Sequence, residues 1–539
     1  MLEMARKYKA ENNVSNRETL GLVLSPTREL AKQTHEVLVR LLNGDETLPT
    51  LKCVGRVRTP AEDARLIRES GANFIIATPG RLEELMSMPG VINVRRLRTL
   101  ILDEADLLLA MGFQTQIDSI LSQLPKQRRT GLFSATQSTG DDVKNLIKAG
   151  LRNPVFINAT QSWQLRDQDG SGSSTADSAS ALAVPQGLSH QWVACTPVRH
   201  KLALLVQLLR PTLKKEKTLV FFLTCASVEY FYNMLDTLNV FRQKKNKRLL
   251  FKINGHMTQR QRETALQQFE QAGSGVMFCT DVVSRGVDFP DLDCVVSFDL
   301  PRDAEKMVHR MGRTARAGRT GRALTMLFPH EEDYLELMRN RGIPSHEFDA
   351  SSLTARIKKE ADNLLRRMRQ AQFNDRAHLE SGTRAFLSFL QGYQQHTYKH
   401  VQNVRRLNLG QVAMYYALLY LPRSADIRFG QLNLADFEAP EKKIDTSKIA
   451  FRDKTREERR QKGLGQRQEK KEKEIRARIE KREAAQKSRK QREKERRRLK
   501  RSKTAAQQVE WDDLAAETRL LKKLRRGKIS QEKFDELFN

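Results

Sequence analysis

Three carboxylates lie within four positions at residues 103–106, DEAD, directly after the apolar run TLIL. Two acids that follow a buried strand can divide two tasks, because one can hold Mg²⁺ against phosphate oxygens while the other orients or deprotonates an attacking water. We expect Asp103 to hold Mg²⁺ through an intervening water, and Glu104 to act on the separate, attacking water. Acidic clusters are also common in solvated turns, so the tetrapeptide alone leaves both interpretations open.

A run of arginines supplies the opposite charge. HRMGRTARAGR at 309–319 places Arg310, Arg313, Arg316 and Arg319 three residues apart. On a helix or tight turn this spacing would direct several guanidinium groups the same way. Arg313 and Arg316 could then stabilise charge that develops on a γ-phosphate. The alternative is a basic surface helix.

These residues need a scaffold, and short apolar runs that alternate with helical segments predict one. The runs are GLVLS, FIIAT, TLILD, TGLFSA and PVFIN in the first part of the chain, and TLVFFL, LLFKI, GVMFCT, CVVSFD and ALTMLF in the second. Continuous apolar strands alternating with helices are typical of α/β domains with parallel sheets. Ligands bind beyond the carboxyl ends of such strands, where most of the first five runs end in Ser, Thr or Asp.

The composition divides the chain into five parts. We predict a first domain at 1–158, a flexible Ser- and Gly-rich linker at 159–187, a second domain at 188–345, a helical extension at 346–440 and a basic tail at 441–539. The charged tail could be one long solvated helix or disordered, and it ends in a short amphipathic segment.

The charge predicts the class of partner. Lys and Arg number 95 against 65 Asp and Glu, a formal net charge of +30, and residues 451–505 hold 25 Lys or Arg and 10 Asp or Glu. Such an excess favours nucleic acid, and half of it lies outside that segment. Five scattered cysteines without a CxxC argue against disulfides and zinc. The apolar stretches are too short to span a bilayer, so we expect no membrane partner.

Six motifs occur in the order and spacing of the DEAD-box RNA helicases: PTREL (26–30), TPGR (78–81), DEAD, SAT (134–136), TDVVSRGVD (280–288) and HRMGRTAR (309–316). Over about residues 1–345 the chain resembles this family, which implies two RecA-like domains that close around ATP, Mg²⁺ and single-stranded RNA. The segments after 345 resemble a nucleolar branch that assembles the large ribosomal subunit. That likeness implies pre-ribosomal RNA and pre-ribosomal particles as partners, and the nucleus and nucleolus as location.

The resemblance also implies a role for individual residues. Catalysis would involve Asp103, Glu104, Arg313 and Arg316, with ATP contacts from Asp103, Gly286, Asp288, Arg313 and Arg316. Coupling of the ATP state to RNA binding would involve Asp106, Ser134, Thr136 and His309. RNA contacts would come from Pro26, Thr27, Arg28, Glu29, Gly55, Thr78, Pro79, Gly80, Arg81, Thr224, Gly255, Gln259, Arg262, Thr280, Asp281 and Arg285. Contacts to phosphate and sugar recognise the shape of RNA rather than its sequence.

Two family motifs are missing from the sequence. A glycine-rich loop with Lys and Thr should cradle the phosphates, and a glutamine motif should contact adenine, but PTREL already begins at residue 26. MLEMARKYKA resembles the end of the helix that follows this loop, so we expect a first domain that is incomplete because the chain begins late. The alternative is a protein that has lost its nucleotide loop.

The sequence supports two hypotheses for function. The first is an ATP-dependent RNA helicase that acts on pre-ribosomal RNA, and the second is an RNA-binding assembly factor without catalysis. A DNA-acting relative is less favoured, because the motif set resembles the RNA enzymes.

Overall fold

The computed structural model describes residues 1–55, 58–134, 151, 153–157, 187–213, 215–241, 249–281, 289, 292–315, 318–423, 427, 432–440, 445–446 and 448–538. They form two compact units, residues 1–450 and residues 451–539. Among these residues no helix is long and apolar enough to cross a membrane.

The first sheet domain is built on five described parallel strands in the order β2-β3-β1-β4-β5. The strands are β1 (Gly21–Leu24), β2 (Thr50–Cys53), β3 (Phe74–Ala77), β4 (Thr99–Leu102) and β5 (Arg129–Leu132). The helices are α1 (Leu2–Asn12), α2 (Arg28–Leu42), α3 (Pro60–Ser70), α4 (Pro79–Met86), α5 (Ala105–Ala110) and α6 (Gln114–Gln123). β1 and β3 are buried along their whole length, which explains why their sequences are continuous apolar runs. Because the strands are parallel, the residues that follow each strand lie at the same edge of the sheet.

The second sheet domain has seven described parallel strands in the order β12-β6-β11-β10-β7-β9-β8. They are β6 (Leu188–Ala194), β7 (Lys217–Phe221), β8 (Leu250–Ile253), β9 (Gly275–Cys279), β10 (Cys294–Ser297), β11 (Gly321–Leu327) and β12 (His346–Glu347). The helices around this sheet are α7 (Lys201–Thr212), α8 (Cys225–Thr237), α9 (Gln259–Gln271), α10 (Ala304–Met311) and α11 (Asp333–Asn340). The prediction of two RecA-like parallel-sheet domains is therefore confirmed.

The extension consists of α12 (Thr354–Asn374), α13 (Arg376–Gln394) and α14 (Leu409–Tyr415). Its apolar residues share one hydrophobic cluster with α7 and α8 of the second sheet domain. Gly382 and Gly392 let α13 approach closely, since a β-carbon at Gly382 would lie 3.0 Å from the Tyr230 ring. The extension is thus packed into the same core as the second sheet.

The second unit is dominated by α15 (Lys454–Arg525), followed by α16 (Gln531–Phe538). Asp453 caps α15 by accepting the backbone N–H groups of Thr455 and Arg456. Of the two alternatives for the charged tail, the described structure has the long, solvent-exposed helix.

The strand prediction for PVFIN is wrong for residues 154–157, which form no strand. Val155, Phe156 and Ile157 are exposed, and no described strand lies beside them to satisfy their backbone groups. Three strands, β2, β6 and β12, were not predicted from the sequence. Only Cys53 is buried in β2, so this edge strand presents no continuous apolar run.

Candidate active site and RNA interface

Asp103 lies at the carboxyl edge of the first sheet, directly after β4. Its backbone N–H donates to the Leu24 carbonyl at 2.9 Å, which extends the pairing of β4 with β1 by one residue. The side chain is half-buried, and this burial raises the pKa of the Asp103 carboxyl above its ordinary value. The acid therefore occupies the position where a parallel sheet binds ligands.

Glu104 turns the chain sharply at this edge. It has φ 48 and ψ 55, a left-handed conformation that non-glycine residues rarely adopt, and it stands at the N-terminus of α5. The next N–H, that of Ala105, donates to the Phe133 carbonyl at 2.9 Å. This bond ties the turn to the end of β5 and holds Asp103 and Glu104 side by side. Such backbone strain clusters at functional sites.

Asp106 and His309 join the two sheet domains. The Asp106 Oδ2 and His309 Nε2 atoms lie 3.9 Å apart, and both side chains are buried. Asp106 is in the first turn of α5 and His309 in the last turn of α10. Two of the four residues predicted to couple ATP state to RNA binding thus approach each other across the domain boundary.

A second contact across the boundary joins two residues that were both predicted to face RNA. Arg262 Nη1 donates to Glu29 Oε1 at 3.0 Å, and Arg262 Nη2 donates to the Gly255 carbonyl at 3.0 Å. Thr27 caps α2 by accepting the Leu30 N–H at 3.2 Å, which fixes the start of the helix that carries Glu29. Pro26 is buried before this cap, whereas Arg28 is half-buried.

Arg81 is buried within the first domain. Its Nη1 donates to Asp63 Oδ2 at 2.7 Å and its Nη2 to the Arg58 carbonyl at 3.0 Å. A β-carbon at Gly55 would lie 3.8 Å from Arg81 Nη2. Arg81 therefore fastens the loop after β2 to the start of α4.

The start of α4 itself presents backbone to solvent. Thr78 precedes the helix, Pro79 is its first residue, and Gly80 is exposed with open space around its α-carbon. Asp63 was not predicted from the sequence to be the partner of Arg81. The available signal was the place of this acid beside the apolar Ala64 and Ile67 on α3, because a carboxylate on a buried helix face needs a positively charged partner.

The expectation that the arginines of 309–319 point the same way is wrong for Arg310. This side chain is fully buried, and it donates from Nε and Nη2 to Asp281 at 2.5 and 3.1 Å. Its Nη1 donates to the Asp299 carbonyl at 2.6 Å. The helix ends at Met311, so Arg313 no longer follows its helical spacing and donates from Nε to the His309 carbonyl at 3.2 Å.

The remaining predicted residues fall into three groups. Thr280 is buried directly after β9, Thr224 is buried as the N-cap of α8, and Gln259 is the first residue of α9. Ser134 is exposed after β5. Outside the described residues lie Thr136, Arg285, Gly286, Asp288 and Arg316.

The donor set at this edge fits Mg²⁺ in one respect. The described residues contain no group of three His, Cys, Asp or Glu side chains that could hold a metal by themselves. Magnesium often takes only one or two carboxylates and completes its shell with water and substrate phosphates. The half-buried Asp103 meets that need, and bound Mg²⁺ would neutralise phosphate charge there.

Family models match most of the chain. DEAD/DEAH box helicase matches residues 2–145, helicase conserved C-terminal domain matches 200–318, and ATP-dependent rRNA helicase SPB4-like, C-terminal extension matches 375–424.

Relatives match over nearly the whole length. DEAD-box ATP-dependent RNA helicase 18 of Oryza sativa subsp. japonica is 37% identical over 521 residues, 96% of this chain and 77% of the relative. ATP-dependent RNA helicase DDX55 of Danio rerio is 37% identical over 537 residues, 98% of this chain and 84% of the relative.

The fold is also similar to that of a solved structure, Mss116p with its NTE and C-tail deleted, bound to ssRNA and AMP-PNP. The TM-score is 0.61 at 21% identity, and the match covers 77% of this chain and 78% of that one. The resemblance inferred from the motifs is confirmed by the models and relatives together: the chain belongs to the DEAD-box family of ATP-dependent RNA helicases.

Proposed function

We propose that this helicase remodels pre-ribosomal RNA or RNA–protein complexes during assembly of the large ribosomal subunit. The observation that carries the proposal is the match of residues 375–424 to the C-terminal extension of SPB4-like rRNA helicases. In the described structure this extension packs into the core of the second sheet domain. We further propose the nucleolus as its location and pre-ribosomal particles as its partners.

Each residue assigned to ATP or to catalysis has a distinct part in the proposed mechanism. Asp103 would hold Mg²⁺, Glu104 orients or deprotonates the attacking water, and Arg313 and Arg316 stabilise negative charge in the transition state. Gly286 and Asp288 contact ATP. When bound, ATP with Mg²⁺ supplies the phosphoryl group that is hydrolysed.

Coupling to RNA uses the contacts across the domain boundary. Asp106 and His309 sense closure, because their 3.9 Å approach requires both domains. We assign Ser134 and Thr136 to the same coupling role. RNA lies along the residues from both domains that the motifs assign to it, including Glu29 and Arg262, whose ion pair spans the boundary. Phosphate and 2′-OH contacts then bind RNA without sequence preference.

Hydrolysis is tested in a chain extended at Met1 by a segment that carries a phosphate-binding loop. We expect RNA-stimulated ATP hydrolysis, and a loss of at least about a hundredfold in Glu104→Gln, because removing a general base typically costs 10²–10⁴ in rate. Glu69→Gln on the surface of α3 is the matched control and should retain full activity. An inactive extended wild type, or an active Glu104→Gln, would refute the catalytic proposal.

The substrate is tested separately by ultraviolet crosslinking of the chain to cellular RNA. Enrichment of large-subunit rRNA precursors is expected. Crosslinks spread over messenger RNA without rRNA enrichment would exclude the ribosomal role and leave the helicase assignment intact.

A second candidate is an RNA-binding assembly factor without catalysis. It is favoured by the basic segment 451–505. This candidate predicts RNA affinity that needs no ATP, falls steeply with salt, and is largely lost on deleting 441–539. Unchanged affinity after the deletion would show that the tail is not the anchor.

A further inference from the structure

A chain of three hydroxyl groups connects the extension to the start of α8. Thr224 Oγ1 lies 2.9 Å from Ser227 Oγ, and Ser227 Oγ lies 2.9 Å from the Tyr416 hydroxyl. The Ser227 N–H also donates to Thr224 Oγ1 at 3.2 Å, so Thr224 caps α8. All three side chains are buried. Thr224, at one end of this row of hydroxyl groups, belongs to the proposed RNA-facing set, and Tyr416, at the other end, belongs to the extension.

The chemistry of the three groups sets a direction for the protons. A phenol is more acidic than an alkyl hydroxyl, and Ser227 is the one side-chain partner of the Tyr416 hydroxyl among the described residues. The two oxygen–oxygen distances fit either direction, but the buried Tyr416 hydroxyl can give its proton only to Ser227, and Ser227 then donates to Thr224. With the Ser227 N–H, this fills both acceptor sites of Thr224 Oγ1. In this arrangement the Thr224 proton is available to a further acceptor, and phosphate oxygens are acceptors.

Tyr416 is itself held firmly. Its carbonyl accepts hydrogen bonds from the Tyr230 hydroxyl at 2.5 Å and from Gln372 Nε2 at 3.3 Å. Gln372 Nε2 also donates to the Ala417 carbonyl at 3.0 Å. The Tyr416 ring stacks on Tyr230 with ring centres 5.9 Å apart. The donor that orients Ser227 thus has one fixed position.

The extension also packs directly against Thr224. A β-carbon at Gly392 of α13 would lie 3.1 Å from Thr224 Cγ2 and 3.1 Å from Leu223 Cδ2. Only a glycine therefore lets α13 pass this close to the Thr224 side chain.

We propose that Tyr416 is a positioning residue for RNA binding: acting through Ser227, it presents the Thr224 hydroxyl as a hydrogen-bond donor to an RNA phosphate. The inference rests on the proposed function, in which Thr224 faces RNA. It gives the extension a part in substrate binding that acts through Ser227 and Thr224 of the second sheet domain.

The test measures binding of a short fluorescent oligouridylate to the full chain by anisotropy. Tyr416→Phe removes only the Tyr416 hydroxyl. Ser227→Ala removes the hydroxyl that links Tyr416 to Thr224, but it keeps the backbone N–H of residue 227 that donates to Thr224 Oγ1. Each should weaken binding about three- to tenfold, since a net hydrogen bond is worth about 0.5–1.5 kcal/mol. The double variant should bind no more weakly than either single variant, because both act through Thr224.

Tyr415→Phe is the matched control. Tyr415 is the buried neighbour of Tyr416, and its hydroxyl has no hydrogen-bond partner among the described residues. This variant should bind RNA like wild type. The ratio of wild-type to Tyr416→Phe RNA affinity should also persist at high salt, whereas the contribution of the basic tail to RNA affinity falls steeply as salt rises.

Equal affinity of wild type and Tyr416→Phe would overturn the inference and leave the proposed function standing. Additive losses in the double variant, or the same loss in Tyr415→Phe, would also overturn it, because they indicate a general packing effect. A wild-type chain that fails to bind the oligouridylate would refute RNA binding itself, and the inference with it.

Discussion

The contact between the two sheet domains differs in kind from the contact between the second sheet domain and the extension. The sheet domains meet through charged and polar side chains, Glu29 with Arg262 at 3.0 Å and Asp106 with His309 at 3.9 Å. In the described part of the chain, no hydrophobic cluster contains residues of both sheet domains.

The extension meets the second sheet domain through aromatic rings in one shared cluster. The buried rings of this cluster include Tyr230, Phe231, Phe298 and Phe328 of the sheet domain and Phe386, Phe389, Tyr393, Tyr415 and Tyr416 of the extension. Several of them contact each other across the boundary, such as Phe231 and Tyr416 with ring centres 4.9 Å apart.

The difference indicates one interface that opens and one that stays closed. Burying an aromatic side chain stabilises an interface by a few kcal/mol, whereas a partly exposed ion pair contributes about 1 kcal/mol or less. The sheet domains can therefore separate at little cost, as binding and release of ATP and RNA require. We expect the extension to move with the second sheet domain as one body.

The largest effect is expected from emptying the aromatic interface. Phe389→Ala removes a fully buried ring that lies 6.1 Å from Tyr416 and 5.6 Å from Tyr393. The free energy of unfolding of the second domain should fall by about 3–5 kcal/mol, since the cavity cannot collapse among rigid rings. Urea denaturation followed by circular dichroism measures it.

Val37→Ala on the exposed face of α2 is the control and should change stability by less than about 0.5 kcal/mol. If Phe389→Ala is equally mild, the aromatic contacts do not hold the extension.

A smaller, pH-dependent effect is expected at the buried Glu331, where the extension meets the same sheet domain. Tyr393 donates from its hydroxyl to Glu331 Oε1 at 2.8 Å. Burial raises the pKa of Glu331 from 4.5 to about 7, and the nearby Lys201 lowers it in part. The folded protein therefore keeps the proton that the unfolded chain loses. The stabilisation is complete below about pH 4.5 and is lost as pH rises through 7.

Glu331→Gln mimics the protonated acid at every pH. From pH 5 to pH 8 the wild type should lose stability relative to this variant by on the order of 3 kcal/mol, as one pKa unit is worth about 1.4 kcal/mol. Comparing the two proteins cancels the opposite effect of His190, His330 and His396, whose pKa values burial lowers to about 4. A difference in unfolding free energy that is independent of pH would contradict a protonated Glu331.

The smallest effect on stability is expected at the polar interface. Arg262→Gln breaks the pair with Glu29 and should cost about 1 kcal/mol or less in unfolding free energy. Arg260→Gln, on the exposed side of the same helix, is the matched control. Thermal melts of both variants and of Glu29→Gln measure the effect. A loss above about 3 kcal/mol in Arg262→Gln would show that the sheet domains depend on this pair to fold.

The sequence predicted local elements well where they are long, apolar and buried. Runs such as FIIAT and CVVSFD correspond to β3 and β10, because strands buried on both faces carry continuous apolar residues. The motif DEAD lies at the sheet edge as expected. β6 was missed because in LSHQWVA buried and partly exposed residues are interleaved, which breaks the apolar run.

Partners far apart in sequence could not be predicted from local pattern. Glu29 and Arg262 are separated by 233 positions, and both were expected to face RNA rather than each other. The spacing of the arginines gave no sign that Arg310 turns inward to Asp281. Arg310 lies on α10 and Arg313 lies beyond its end at Met311, and the position of that end could not be predicted from the spacing. Such pairings depend on how the two sheets and the extension pack.

The most direct test of the two kinds of interface is energy transfer between dyes as the salt concentration is raised from about 0.05 to 1 M. At 1 M the electrostatic screening length is only about 3 Å. Dyes are attached through azido amino acids at the exposed Ser122, Glu336 and Gln391, in the first domain, the second domain and the extension. Transfer between 122 and 336 should change as the polar contacts are screened, while transfer between 336 and 391 should stay constant. A constant signal between 122 and 336, or an equal change between 336 and 391, would contradict the account.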